Sequence, residues 1–397
     1  MTNLLALESL KQGHWFKLIC GASFQHLPAV RTLTLAYTLA GADCIDVAAD
    51  PAVVVATRAG LQAAKDLARE AQKQGFGFKG DLPLLMVSLN DGEDPHFRKA
   101  EFNASSCPVD CPRPCEKICP TQAIVFNNIK DSFSGIIAEK CYGCGRCIPV
   151  CPYKLINTAS YILTPEAIAP LIMSTGIDAI EIHTKVGRLA EFQRLWVAIA
   201  PWADKLKLIA ISCNDGEGLI DYLKAIYDLI IPHPQILIWQ TDGRSMSGDI
   251  GDGTTIAAVK LGQKVLAANL PGYVQLAGGT NRYTVPKLKS IGLLKEAGEY
   301  EARGREQRAG SSRQGAVGKG ENTSALQRQS PAFISGVAYG SYARVLLSPI
   351  LEQLENLENK EVITTSVKAN LRLEDEPELL WQAVKLAHSL VSQIKSQ

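Results

Sequence analysis

Eight short apolar runs alternate along this chain with eight segments of helical periodicity, and few folds accommodate that order. The runs are continuous, which is typical of strands buried on both faces of a parallel sheet. Their alternation with helices predicts an α/β fold, a (β/α)8 TIM-barrel-like body, with an open doubly wound sheet as the alternative. The predicted strands are residues 16–20, 44–48, 84–89, 179–183, 206–212, 235–240, 273–277 and 332–337. The predicted helices are residues 28–40, 52–74, 165–174, 188–200, 217–229, 253–270, 285–297 and 341–354.

A cluster of cysteines follows the third predicted strand. Eight of the eleven cysteines fall between Cys107 and Cys151, and the last four have the spacing C-x2-C-x2-C-x3-C followed by proline. Bacterial-type ferredoxins bind iron–sulfur clusters with this spacing, because three thiolates converge on one cluster while the fourth completes the cluster of the other half. The predicted metal ligands are Cys107, Cys111, Cys115, Cys119, Cys141, Cys144, Cys147 and Cys151.

The ferredoxin rule divides these ligands into two sets of four. One set is Cys107, Cys111, Cys115 and Cys151, and the other is Cys119, Cys141, Cys144 and Cys147. The first four cysteines depart from the pattern, since each gap between them holds three residues. The sequence therefore predicts two 4Fe-4S clusters and leaves open a 3Fe-4S cluster at Cys107, Cys111 and Cys115. A zinc site is the alternative, although zinc ribbons usually separate their two cysteine pairs by a longer stretch.

The cysteine segment divides the predicted barrel into two parts. The expected organisation is residues 1–95 as the first part of the barrel, 96–157 as a ferredoxin-type insertion in a βα loop, 158–356 as the rest of the barrel, and 357–397 as a helical tail. Residues 299–329 are rich in Gly, Arg, Glu, Gln and Ser, and we expect them to be disordered. Because βα loops lie at the carboxyl ends of barrel strands, the clusters are expected at the mouth, where barrel active sites form.

Candidate sites outside the cysteine segment carry weaker signals. Gly278, Gly279 and Thr280 follow the seventh predicted strand and Gly336 lies at the eighth, where barrels commonly bind a phosphate or a flavin. Tight turns explain the same glycines. His183, at the end of the fourth strand, is an acid–base group or, as is more common for a lone histidine, a hydrogen-bonded structural residue.

Two further groups of residues have ordinary explanations beside the functional ones. The charges of the loop 241–253 could bind a polar ligand or be solvated; they are Asp242, Arg244, Asp249 and Asp252. The remaining cysteines lie in or next to apolar runs and are expected to be buried as small apolar residues; they are Cys20, Cys44 and Cys213.

Composition limits the possible partners. The formal net charge is +1 and 46% of the residues are hydrophobic, which predicts a large core and no nucleic-acid binding through bulk charge. No apolar stretch approaches 18 residues, so we expect no integral membrane segment. The amino terminus lacks a basic start followed by an apolar run, and we expect a cytoplasmic protein.

Several segments together resemble the light-dependent period family of cyanobacteria. Besides the ferredoxin-type window, they are residues 16–25, 41–50, 176–184 and 245–251, and the likeness covers nearly all the chain except the Arg-rich segment. The resemblance implies an iron–sulfur redox sensor that conveys the state of photosynthetic electron transport to the circadian clock. It further implies a quinone or another redox partner, and contact with clock proteins.

Three functions remain open on the residues. The first is the redox sensor, in which the state of the clusters biases a conformation that a partner recognises. The second is a barrel oxidoreductase, whose clusters pass electrons to a flavin, a quinone or another substrate at the barrel mouth. The third is a ferredoxin-like electron carrier, for which the barrel is only a scaffold. Whether the protein is an enzyme is left undecided.

Overall fold

The body of the chain is a closed barrel of eight parallel strands, which confirms the predicted (β/α)8 class. The computed structural model describes residues 4–21, 26–78, 80–92, 98–119, 121–127, 132–138, 140–141, 147–160, 170, 172–244, 251–295, 331–365 and 371–395. The barrel strands are β1 (Trp15–Gly21), β2 (Cys44–Ala48), β3 (Leu84–Asn90), β8 (Ala179–Thr184), β9 (Leu208–Asn214), β10 (Leu237–Asp242), β11 (Tyr273–Ala277) and β12 (Gly336–Tyr339). Strand β1 closes the barrel, because Lys17 is in register with Cys44 of β2 on one side and with Ala338 of β12 on the other.

The described helices mostly follow the predicted pattern. They are α1 (Leu4–Gln12), α2 (Leu27–Ala40), α3 (Pro51–Asp66), α4 (Ala68–Lys73), α5 (Pro114–Ile118), α6 (Cys147–Val150), α7 (Leu189–Ile199), α8 (Leu219–Leu229), α9 (Thr254–Ala267), α10 (Thr284–Ser290), α11 (Ser341–Thr365) and α12 (Pro377–Lys395). The predicted helix 52–74 is two helices, α3 and α4, and α11 extends beyond the predicted residue 354. Most of the predicted helix 165–174 and all of the Arg-rich segment 299–329 lie outside the described residues.

The inside of the barrel is apolar at its lower end, the end at which the strands begin and which lies opposite the mouth. Successive side chains of a strand point to opposite faces, so every second residue points into the barrel while the others pack against the surrounding helices. Helix α1 covers the lower opening with Ala6 and Leu10. The residues of this lower layer are Trp15, Cys44, Leu84, Met86, Ala179, Leu208, Ala210 and Ile238.

The cysteine segment is inserted between β3 and β8, which pair directly with each other in the barrel. It contains two small antiparallel sheets and the helices α5 and α6. The first sheet pairs β4 (Arg98–Glu101) with β7 (Asn157–Ser160), and the second pairs β5 (Ile124–Val125) with β6 (Gly135–Ile136). The segment has its own small apolar core, separate from that of the barrel.

The carboxyl-terminal helix α12 packs on the barrel. Its apolar residues are buried in the main core against α2, α11 and β1. Lys395, in its last turn, pairs with the buried carboxylate of Asp43 at 2.6 Å. Within the predicted helical tail 357–397, the helix Pro377–Lys395 is therefore part of the folded body.

Candidate metal centre and barrel mouth

Two short helices hold cysteines in equivalent positions. Cys115 lies in α5 and Cys119 follows that helix, while Cys147 begins α6 and Cys151 follows it. The two helices contact each other. This repeat brings the second half of the cysteine segment next to the first, as a ferredoxin-type exchange of the fourth ligand requires.

One group of thiols combines cysteines from both halves. Burial, a hydrogen bond with Cys111 and the nearby Cys151 thiol all raise the pKa of Cys107. Burial also raises the pKa of Cys115, with further contributions from Cys151 and Cys107. Thiols from both halves therefore lie close enough to Cys107 and Cys115 to oppose the ionisation of these two. Bound iron would remove that opposition, because a cluster takes its ligands as thiolates and supplies positive charge.

The second group lies in the apolar core of the segment. Cys119 and Cys141 are 9% exposed and Cys147 is 7% exposed. They pack with Ala123 and Ile124 of the same segment. Cys144 lies outside the described residues.

Backbone N–H groups point at three of the sulfur atoms. The N–H of Ala123 donates to Cys119 Sγ at 3.2 Å, and the N–H of Ala100 donates to Cys141 Sγ at 3.3 Å. The N–H of Leu155 donates to Cys151 Sγ at 3.4 Å. Such bonds stabilise negative charge on thiolate sulfur and help to set the reduction potential of a cluster.

The residues fit an iron–sulfur cofactor. The thiols come from both halves, they are largely buried in apolar surroundings, and their sulfur atoms accept hydrogen bonds. The ten cysteines that the structure describes are all free of disulfides. Among the residues that the structure describes, no three His, Cys, Asp or Glu side chains converge tightly enough to hold a single metal ion.

Lys99 connects the cysteine segment to the barrel. It lies on β4, next to the residue whose N–H bonds Cys141, and its Nζ donates to the Ala138 carbonyl at 2.5 Å. Lys99 Nζ also lies 4.0 Å from Asp50 Oδ2, a carboxylate that is 2% exposed. Asp50 caps α3 by accepting the N–H of Ala52 at 2.8 Å. A series of contacts thus leads from Cys141 Sγ, through Ala100 and Lys99 of β4, to Asp50 at the start of α3.

A cavity of about 350 Å³ lies beside the same strand. Phe102 and Phe133 contribute aromatic surface to it, and Lys99 and Glu101 contribute charge. Ala100, the hydrogen-bond donor to Cys141, also lines the cavity. A small molecule in this cavity would therefore lie close to the second group of cysteines.

A layer of polar side chains lies inside the barrel, above the apolar layer. Lys17 is fully buried and its Nζ contacts both Glu181 and Asp46, with 3.1 Å to Asp46 Oδ2. Burial would lower the pKa of Lys17, but the two carboxylates outweigh burial and raise it, so the ammonium stays charged. Burial also raises the pKa of Asp46, to about 6, although Lys17 opposes the shift. Burial would raise the pKa of Glu181 too, but Lys17 holds it below its usual value.

Gln240 joins this charged group to the mouth. Its Oε1 accepts from Lys17 Nζ at 3.0 Å, and its Nε2 donates to Glu181 Oε1 at 2.6 Å. His183 Nε2 lies 3.2 Å from the same Glu181 oxygen. Asp242 accepts a short hydrogen bond from the Ser212 hydroxyl. Carboxylate, amide and imidazole groups therefore converge at this end of the barrel interior.

Most residues of this layer were not among the candidates predicted from the sequence. Each of three charged residues lies within a predicted buried strand: Lys17, Asp46 and Glu181. A charge among apolar strand residues was the one sign in the sequence that these side chains belong to a polar site. His183 and Asp242 were candidates, and the barrel brings them to the same end of the interior.

The predicted phosphate or flavin residues lie in two places. Gly278 and Gly279 follow β11 with φ of +57° and +88°, and added Cβ atoms would meet backbone atoms of Arg244 and Thr254. Thr280 Oγ1 donates to the Ala338 carbonyl at 2.6 Å. The chain itself fills this space, and a phosphate site here stays a prediction.

The position of Gly336 differs from the expected one, because the eighth strand is shifted along the chain. Strand β12 begins at Gly336, whereas the predicted strand nearly ended there. An added Cβ on Gly336 would lie 2.6 Å from Trp15, which belongs to the lower apolar layer. Gly336 is therefore at the end of its strand opposite the mouth.

The three cysteines outside the cysteine segment are buried, which keeps their thiols protonated at neutral pH. Cys20, Cys44 and Cys213 are at most 4% exposed, and burial raises the pKa of Cys20 and Cys213 to about 12. Asp249 lies outside the described residues. No helix in the described ranges is long and apolar enough to cross a membrane.

Comparison with known families finds two matches that together span most of the chain. Residues 107–162 match the LdpA Fe-S cluster-binding domain, and residues 171–393 match the light dependent period A C-terminal domain. Among curated proteins, light dependent period A of Synechococcus elongatus is 44% identical over 395 residues, which cover 100% of this chain and 95% of that protein.

Two further similarities are more limited. Protein NrfC of Escherichia coli K12 is 33% identical over 99 residues, which cover 24% of this chain and 41% of that protein. A crystal structure of tryptophan synthase from M. tuberculosis overlaps 98% of this chain and 99% of that chain, with 12% identity and a TM-score of 0.36. An overlap that loose has no bearing on the site.

Proposed function

Because this chain belongs to the light dependent period A family, we propose that it is an iron–sulfur redox sensor that conveys the state of photosynthetic electron transport to the circadian clock. In this proposal one cluster is bound by Cys107, Cys111, Cys115 and Cys151, and the other by Cys119, Cys141, Cys144 and Cys147. The bound clusters supply one-electron redox chemistry. The observation that carries the proposal is the continuous contact from Cys141, through β4, to Asp50 of the barrel.

The contact suggests how a change at the cluster reaches the barrel. A cluster held by Cys141 would carry more negative charge when reduced. The Ala100 N–H would then bond Cys141 more strongly, and the neighbouring Lys99 ammonium would be attracted toward that side. Burial already raises the pKa of Asp50, and Lys99 opposes that shift. If Lys99 moves toward the cluster, the Asp50 carboxylate loses its cation and the start of α3 becomes less stable. The two redox states then differ in a surface that a partner protein can distinguish.

The metal content is tested by anaerobic purification, iron and sulfide analysis, and EPR of oxidised and reduced samples. Cys141→Ala should lower iron and sulfide to about half and remove one cluster signal. Cys213→Ala is the matched control, since it replaces a buried cysteine of the barrel, and it should keep both signals. Zinc in place of iron, or loss of iron in Cys213→Ala, would contradict the ligand assignment.

The sensor is tested by hydrogen exchange on oxidised and reduced protein. Amides near the start of Pro51–Asp66 should exchange faster in the reduced state. Lys99→Met should abolish this difference while both clusters stay bound, whereas Lys117→Met, which removes an exposed lysine of α5, should preserve it. Equal exchange in both redox states of the unmodified protein would favour a plain electron carrier.

The oxidoreductase is a second candidate because of the cavity beside β4. Its two phenylalanine rings and its position next to Ala100 suit a small redox molecule, such as a quinone or a flavin, that exchanges electrons with the second cluster. Turnover of a soluble quinone by the reduced protein, lost in Phe133→Asp, would support this candidate.

A further inference from the structure

The polar layer of the barrel reaches the mouth at two side chains. His183 is 22% exposed, and Asp242 ends β10 and is partly exposed. The groups beneath them are closed off, since Lys17, Asp46 and Glu181 are at most 1% exposed. A molecule that enters from the carboxyl ends of the strands would therefore meet His183 and Asp242 first.

The charges of this layer are unbalanced. Lys17 is shared between the carboxylates of Asp46 and Glu181, which leaves that group with an excess negative charge. Asp242 adds another, and its hydrogen bonds come from neutral donors, the Ser212 hydroxyl and the Gln240 amide at 3.4 Å. Within the described residues, Asp242 has no ion pair. Burial raises the pKa of Asp242 to about 6, and the nearby His183 and Lys17 oppose that shift.

His183 presents a second hydrogen-bonding atom to the mouth. Its Nε2 lies 3.2 Å from Glu181 Oε1. In the part of the chain that the structure describes, its Nδ1 has no hydrogen-bond partner. An imidazole nitrogen and a carboxylate thus belong to the same opening.

The fold does not require a polar layer inside the barrel. The layer below fills the same barrel with Trp15, Leu84, Ile238 and other apolar side chains. Buried ion pairs contribute little net stability compared with well-packed apolar residues, because the desolvation of each charge offsets the attraction between charges. Polar groups that converge at the carboxyl ends of barrel strands are where this fold builds its ligand sites.

We propose that the barrel mouth binds a small organic molecule with a protonated nitrogen, which pairs with Asp242 while a neighbouring polar group of the molecule hydrogen-bonds to His183. An amine or a guanidine has the charge that the layer lacks and the donors that a carboxylate accepts. The proposal involves no redox step and does not depend on the clusters.

The test uses the full chain and small probes of matched size. Butylamine, 1,4-diaminobutane and butylguanidine are protonated at neutral pH, whereas 1-butanol is neutral and butyrate is negative. Isothermal titration calorimetry measures binding, and NMR of the histidine side chains locates it, because the chain has six histidines. At least one protonated probe should bind saturably and shift the His183 resonances, while butanol and butyrate should not.

Two variants test the assigned contact. Asp242→Asn should weaken binding at least tenfold, whereas Asp221→Asn, which changes an 87% exposed carboxylate of α8, should leave it unchanged. The preference of the unmodified protein for protonated over neutral and negative probes is measured without any variant. The test therefore remains decisive if Asp242→Asn fails to fold. Failure of all three protonated probes to bind, equal binding of butanol, or unchanged affinity in Asp242→Asn overturns the proposal. None of these outcomes bears on the iron content or on redox-dependent exchange.

Discussion

Replacing Lys17 with methionine should destabilise the barrel in a strongly pH-dependent way. The ammonium of Lys17 is the cation that contacts the carboxylates of both Asp46 and Glu181, and all three side chains are buried. Methionine has a similar length but no charge, so the variant leaves two carboxylates in the barrel interior without the ammonium that pairs with both of them. Removing one partner of a buried ion pair typically costs about 3–5 kcal/mol.

The size of the effect at each pH follows from proton uptake. The folded variant relieves the repulsion by protonating one of the two carboxylates, Asp46 or Glu181, whose ordinary pKa values are 3.8 and 4.5. Protonating such a group costs about 3–4 kcal/mol at pH 7 and about 1–2 kcal/mol at pH 5. The carboxyl that takes up the proton has a folded pKa above its unfolded value, so stability is retained at low pH and lost as the pH rises.

Urea unfolding followed by circular dichroism at pH 5 and pH 7 measures this loss. Lys73→Met is the control, since it removes a 74% exposed lysine, and it should change stability by less than about 0.5 kcal/mol at either pH. Adding both Asp46→Asn and Glu181→Gln to Lys17→Met should remove most of the pH dependence, because neither amide needs a proton. A loss in Lys17→Met of less than about 1 kcal/mol at pH 7, or one equal at both pH values, refutes the reasoning.

Two further substitutions test packing and the docking of the last helix. An added Cβ on Gly60 would lie 2.7 Å from a backbone oxygen of α2, so Gly60→Ala should lower the free energy of unfolding by about 1–3 kcal/mol, because the clash outweighs the gain in helix propensity, while Gly253→Ala, with no atom within 4 Å, should be nearly neutral in the same unfolding assay. Lys395→Met should cost about 1.5–3 kcal/mol at pH 8, because its hydrogen bonds of 2.6 Å to the buried Asp43 carboxylate are lost. Burial raises the pKa of Asp43 and Lys395 opposes this, so without Lys395 the carboxyl takes up a proton more readily as the pH falls. The variant should therefore lose less stability at pH 4 than at pH 8, and equal losses in thermal melts at the two pH values would contradict the reasoning.

The sequence determined the elements of this protein because their signals are local. Continuous apolar runs alternating with helical periodicity indicated the barrel, and the cysteine spacing indicated iron–sulfur ligation, since both depend on residues close together in the chain. Element ends were less certain: the apolar run at residues 332–337 begins before its strand, which placed Gly336 at the wrong end.

Only the tertiary structure decided which residues meet inside the barrel. Lys17 and Glu181 are 164 positions apart, and their contact depends on closure of the sheet and on the register of its strands. A charged residue within one apolar run does not reveal its partner, because that partner lies on another strand. The connection from Cys141 through Lys99 to Asp50 likewise exists only once the inserted segment has folded against the barrel.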